Sequence, residues 1–307
     1  MSVRRTLGVG LVALATLGVS ACSSDSNGAA RDASAEAEES KPRPREGELP
    51  PQSQRYETFD PSTFDAASAD VTNRFFPLRP GTRLVFEGAD QRGKGRETHR
   101  VVFVVTDLVQ NIGGVETTVI WERDFVREEL EEAELAYYAQ DTTGNVWHMG
   151  EYAELYEDGS LLGASGFLQG HLANAKAGIL MPADPRTGTP SFSEGYGPPP
   201  INWTDRGRVV ATGRTVKVPA GTFDDVLVIE EYSESELTSF QLKSYAPDVG
   251  NVRVGWAGED ESKEVLKLVR IDRLDAEQME EVRTQAAALE SRARMYGDPP
   301  PSRPRSG

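Results

Sequence analysis

Apolar residues along this chain recur mostly at every second position, in short bursts divided by Gly, Pro, Asn and Asp. That period, with β-branched and aromatic residues supplying the apolar members, predicts strands. They are expected over 82–87, 97–107, 115–126, 135–140, 146–150, 153–156 and 161–162, then over 206–218, 226–233, 239–245, 252–256 and 264–271. Thr143-Gly144-Asn145 and Asp158-Gly159 read as tight hairpin turns, because Gly and Asn accept positive φ. Helices do not alternate with strands, which argues against a doubly wound parallel sheet. The predicted class is all-β, an antiparallel meander of about ten or more strands in a strongly curved sheet, barrel or sandwich.

Two strands depart from simple alternation. Val101 to Val105 and Val226 to Ile229 are apolar at successive positions, so both of their faces should be buried. One face meets the core. The other needs a second layer, a helix or a ligand. A helix is predicted from Asp275 to about Met295, capped by Asp275, with Met279, Val282, Ala286, Leu289 and Ala293 on one stripe. It either packs on the sheet or meets a partner. Residues 163–178 and 178–200 are predicted loops, candidates for a lid or a plug.

The N-terminus changes the picture of where the chain resides. Arg4 and Arg5 precede an uncharged apolar run, Leu7 to Ala21, of about fifteen residues. A membrane-spanning helix needs roughly 20, so this is an export signal. Val19-Ser20-Ala21-Cys22, which contains the only cysteine, resembles the bacterial lipobox. The resemblance implies cleavage before Cys22, acylation of its thiol and anchorage to a bacterial membrane. Two or three acyl chains hold firmly where one is marginal. Residues 1–21 are then the signal and 22–54 the acylated cysteine with a disordered tether, poor in large apolar residues. The β domain occupies 55–274, the helix 275–296, and a Pro-rich disordered tail 297–307.

Loss of Arg4 and Arg5 takes the formal charge from −16 to −18. Such an acidic surface excludes nucleic acid as a charge-driven partner. No nucleophile elbow, phosphate loop or dinucleotide fingerprint is present, and His99, His148 and His171 share no ligand spacing. The acidic run Glu128 to Glu134 lacks the spacing of a calcium loop and reads as a solvated face. No cofactor, metal or catalytic residue is assigned, and the chain is expected not to be an enzyme. The aromatics Trp121, Tyr138, Trp147, Trp203, Phe240 and Trp256 lie on or beside strands. They either line a site for an apolar ligand or pack the core.

Five strings together resemble a family of uncharacterised bacterial exported proteins. They are Asn73 to Thr82, Tyr138 to Trp147, Met181 to Pro185, Val218 to Asp224 and Tyr245 to Gly250. The likeness spans roughly residues 70 to 273 and implies an exported all-β protein with no established activity. Where the family often has Tyr-Phe after the tryptophan, this chain has His148-Met149. Three functions stay open. One is a lipid-anchored domain holding a lipid-like ligand, another a non-catalytic contact of an envelope protein, and the third a hydrolase with an unrecognised site.

Overall fold

The computed structural model describes residues 46–93, 95–171, 174–293 and 301–305. The signal, Cys22 and most of the tether lie outside them. The chain forms β1 (Thr82–Arg92), β2 (Gly95–Ile112), β3 (Val115–Val126), β4 (Glu129–Gln140), β5 (Val146–Glu157), β6 (Ser160–Leu168) and β7 (Lys176–Met181). Next come β8 (Phe192–Ser193), β9 (Gly195–Tyr196), β10 (Asp205–Val218), β11 (Gly221–Ser233), β12 (Ser239–Ala246), β13 (Gly250–Gly258) and β14 (Val265–Arg273). The helix α1 (Ala276–Ala293) and a two-residue β15 (Arg303–Pro304) follow, and two single 3-10 turns, Gln52–Gln54 and Pro61–Thr63, precede β1. The all-β class and the single C-terminal helix are as predicted.

Fifteen described strands join one antiparallel sheet, ordered β8-β10-β11-β12-β13-β14-β1-β2-β3-β4-β5-β7-β9, with β6 on β5 and β15 on β2. The hydrogen-bonded path is open. Its two ends nevertheless belong to one segment, for β8 pairs with β10, β9 pairs with β7, and only Glu194 separates them. Right-handed strand twist and register shifts, such as the one in β2 between Val105 and Val109, supply the curvature. At the junction a Cβ on Gly178 would lie 2.3 Å from the Glu194 carbonyl carbon, so only glycine admits this approach.

The two-faced strand is explained by α1. Val101 and Val105 face the concavity, while Val102 and Val104 belong to the opposite face, and all four are buried. The helix lies against β2 and β4 and buries Met279, Val282, Ala286 and Leu289. Asp275 caps it reciprocally with Gln278, each side chain accepting the other's backbone N–H at 2.9 and 3.1 Å. Arg283 pairs with Asp107 at 2.9 Å and Arg292 with Glu154 at 2.6 Å. The stripe is therefore core, and no described helix is long and apolar enough to cross a membrane.

Four local expectations need correction. Residues 163–200, read as loops, contain most of β6 together with β7, β8 and β9, because backbone partners on β5 and β10 order short glycine-rich stretches. Part of the tail is ordered, with Arg303 and Pro304 pairing with Val109 and Leu108 and Arg305 binding Asp70. The end of the tether docks too, as Gly47 N–H donates to the Leu237 carbonyl at 2.7 Å. The run Glu128 to Glu134 is not wholly solvated, since Glu132 and Glu134 are buried at 6% and 1% exposure.

Candidate functional site

Antiparallel connectivity sends the loops after β2, β4, β10 and β12 to one end of the sheet. All five family-like strings meet there. Asn73 anchors the first by accepting the Phe75 and Phe76 N–H groups at 2.9 and 3.3 Å. Its amide donates to the carbonyls of Gly144 and Pro182 at 3.0 and 3.2 Å. Gln140 accepts the Thr72 and Asn73 N–H groups. Asn145 receives the Ala183 N–H at 2.8 Å. Asp248 N–H donates to the Arg74 carbonyl at 2.7 Å, and Arg74 pairs with Asp225 at 2.5 Å. Residues far apart in sequence thus form one interlocked rim.

The rim presents Phe76 to the concavity. Its ring packs edge-on against Tyr138, Tyr245 and Phe103 at centroid distances of 5.3, 6.2 and 6.4 Å. These rings lie on β4, β12 and β2, so one side chain bridges strands far apart in the sheet order. Around it lies an apolar recess lined by Leu78, Leu84, Phe86, Val105, Leu180 and Val249. The free space in it is about 30 Å³, room for a water or two. With Phe76 in place, the mouth is plugged.

Beneath the plug the interior turns polar. Lys243 bonds Glu231 at 2.5 Å, and the Tyr245 hydroxyl reaches Glu231 at 3.3 Å. Glu122 and Glu134 face each other across β3 and β4, as do Asp124 and Glu132. Burial first, then the neighbouring Glu151, Glu122 and Glu132 carboxylates, pushes the Glu134 carboxyl well above the ordinary range. Burial likewise raises Glu151. His148 is sealed among Tyr138, Phe167 and Trp203 at 5.3 to 5.4 Å. Its Nδ1–H donates to the Glu194 carbonyl at 3.3 Å, and burial pushes the imidazole down to about 3.

His99 is the opposite case. Its Nε2 lies 2.5 Å from Asp124 and its Nδ1 2.8 Å from Glu264. Burial opposes its charge, but the two carboxylates prevail and hold it up to about 11. Gln241 secures Glu264 at 2.6 Å. The imidazolium is a buried tie between β2, β3 and the start of β14. Among the described residues no group of three His, Cys, Asp or Glu side chains has the geometry to hold a metal ion.

The six aromatics singled out from sequence do not converge. Tyr138 alone lines the recess. Trp121 is buried on the helix-covered face under Arg123, whose guanidinium lies 4.0 Å from the ring centroid. Trp147 packs against Phe59 and Phe64 and donates to Asp141 at 2.9 Å. Trp203 stacks at 4.9 Å on Phe167. Phe240 belongs to a small cluster with Tyr232. Trp256 is half-buried at the far end of the sheet. Phe76, Tyr245 and Phe103 complete the mouth. The signal that could have found the first two was their place in the recurring strings.

No protein-family model and no curated protein matches the chain. Two solved structures resemble it. One, from Bacteroides fragilis, is described as an exported protein with a YmcC-like fold, with 14% identity, a TM-score of 0.38, and coverage of 65% of this chain and 99% of that one. The other, from Parabacteroides distasonis, is described as a lipoprotein, with 13% identity, a TM-score of 0.34 and the same coverages.

Proposed function

We propose that this chain is an extracytoplasmic lipoprotein, anchored through acyl chains on Cys22, whose β domain takes the apolar end of an amphipathic, lipid-like ligand at the plugged mouth. The short uncharged run before Val19-Ser20-Ala21-Cys22 supports the anchor. The carrying observation for the site is that three of the distant strings, through Phe76 to Thr82, Tyr138, and Tyr245 to Gly250, line a single recess. That recess is closed by Phe76, a residue on a loop, rather than by a strand or helix. In its closed state the recess admits no ligand, so binding requires the ring to swing out and an apolar group to replace it against Phe103, Tyr138 and Tyr245. The reading is non-enzymatic, which the burial of His99 and His148, at 3% and 0% exposure, supports.

The test uses full-length protein purified from its native host. Intact-mass and native mass spectrometry should find an N-terminus at Cys22 carrying a diacylglyceryl group, and a co-purifying apolar molecule. A free Cys22 thiol would sink the anchor. A ligand-free protein that also takes up no added decanoate would sink the binding reading.

A further inference from the structure

The opposite end of the sheet carries a larger opening. A cleft of about 720 Å³ lies between the β1–β2 hairpin and the β13–β14 connection. The walls are fastened together, as Gln91 N–H donates to the Ser262 carbonyl at 2.5 Å. Arg92 is held by Asp90 at 3.1 Å and by Glu131 at 2.6 Å. Asp260 accepts the Ser262 backbone N–H and hydroxyl at 2.9 and 2.7 Å, which shapes the floor of the connection. The half-buried Trp256 indole contributes an aromatic wall, and the Lys263 ammonium stands 5.5 Å from its ring centroid. Lys263 is held at φ +44°, in the left-handed region that a lysine rarely occupies.

The chemistry of the lining selects the ligand class. Four carboxylates (Asp90, Glu259, Asp260 and Glu261) outnumber two cations (Arg92 and Lys263), which disfavours an anion. The charged rim disfavours a purely apolar guest. A cationic guest at the indole would meet the like charge of the Lys263 ammonium, 5.5 Å from the ring centroid, which a neutral guest does not. What remains is a neutral polyol. Its hydroxyls donate to carboxylates and accept from Arg92 and Lys263, while its C–H face lies against the electron-rich indole. We infer that this cleft is a carbohydrate site with Trp256 as its stacking platform, independent of the mouth at the other end.

The full chain would be titrated with cellobiose, maltose and N,N′-diacetylchitobiose, read by saturation-transfer NMR and tryptophan fluorescence. At least one disaccharide should bind saturably at millimolar concentration or below. Trp256→Ala should weaken that binding at least tenfold, and Trp256→Phe by only a few fold. Lys263→Ala, at the surface, should weaken it severalfold with unchanged thermal stability, so the result survives if Trp256→Ala fails to fold. Phe76→Ala should leave sugar affinity unchanged. No binding by any sugar, binding insensitive to both Trp256 and Lys263, or preferential binding of tetramethylammonium would overturn the assignment.

Discussion

Replacing Phe76 by alanine tests whether its ring is the plug described above. The side chain is 8% exposed and meets three other aromatic rings. Truncating a buried phenylalanine costs about 3–5 kcal/mol. Phe76 sits at a rim, where the loop can relax, so the lower figure of about 3 kcal/mol is expected. The space of about 30 Å³ should grow by the volume of the lost ring, and its largely apolar walls should favour an apolar guest over water. Such a cavity should accept benzene. At ten times its dissociation constant benzene should return about 1.4 kcal/mol. Urea denaturation of wild type and variant, each with and without benzene, reads every quantity. A loss below about 1 kcal/mol, or a variant that benzene does not stabilise, would refute the plug.

Three further outcomes concern the buried charges. His148 is neutral in the fold with its pKa lowered to about 3. Its contribution is complete above the unfolded value near 6.5 and is lost as pH falls, by about 2 kcal/mol at pH 5. Urea midpoints at pH 7 and 5 should show this slope, and His148→Asn should lack it. Glu134 works with the opposite sign. Its raised pKa means that the fold holds a proton the unfolded chain releases, so stability falls as pH rises above about 4.5. Glu134→Gln, which keeps the neutral shape, should be more stable than wild type at pH 8 and should flatten that decline. His99→Gln should cost about 3–5 kcal/mol, because it strips the positive charge from the buried Asp124 and Glu264. A thermal melt unchanged by the substitution would contradict that role.

The alternation of Val, Thr and aromatic residues made the long strands legible, and the stripe of Met279, Val282, Ala286 and Leu289 behind Asp275 did the same for α1, since period and propensity agree there. The stretch from Gly163 to Pro200 was not. Lys176–Met181 is short and interrupted by Gly178, and β8 and β9 have two residues each, so their strand character comes from partners on β5, β7 and β10. The acidic interior was hidden for another reason. Glu132 and Glu134 follow Glu128, Glu129 and Glu131 in an acidic run interrupted only by Leu130 and Ala133, and only the wrapped sheet shows that the run crosses from turn to interior. Aromatic identity misled as well. Trp121 sits on the helix-covered face, and nothing in the residue type distinguishes that face from the concave one. Phe76 reads locally as part of a turn, and its role appears only when Tyr138 and Tyr245 arrive from β4 and β12.

The central claim is most directly tested by NMR of the protein titrated with decanoate, with the Phe76, Phe103, Tyr138 and Tyr245 rings selectively labelled. Intermolecular contacts from the decanoate methyl end to Phe103, Tyr138 and Tyr245, together with loss of the Phe76 contacts to those rings, are the predicted result. Saturation with decanoate that leaves the Phe76 ring in place, or contacts confined to other parts of the sheet, would contradict it.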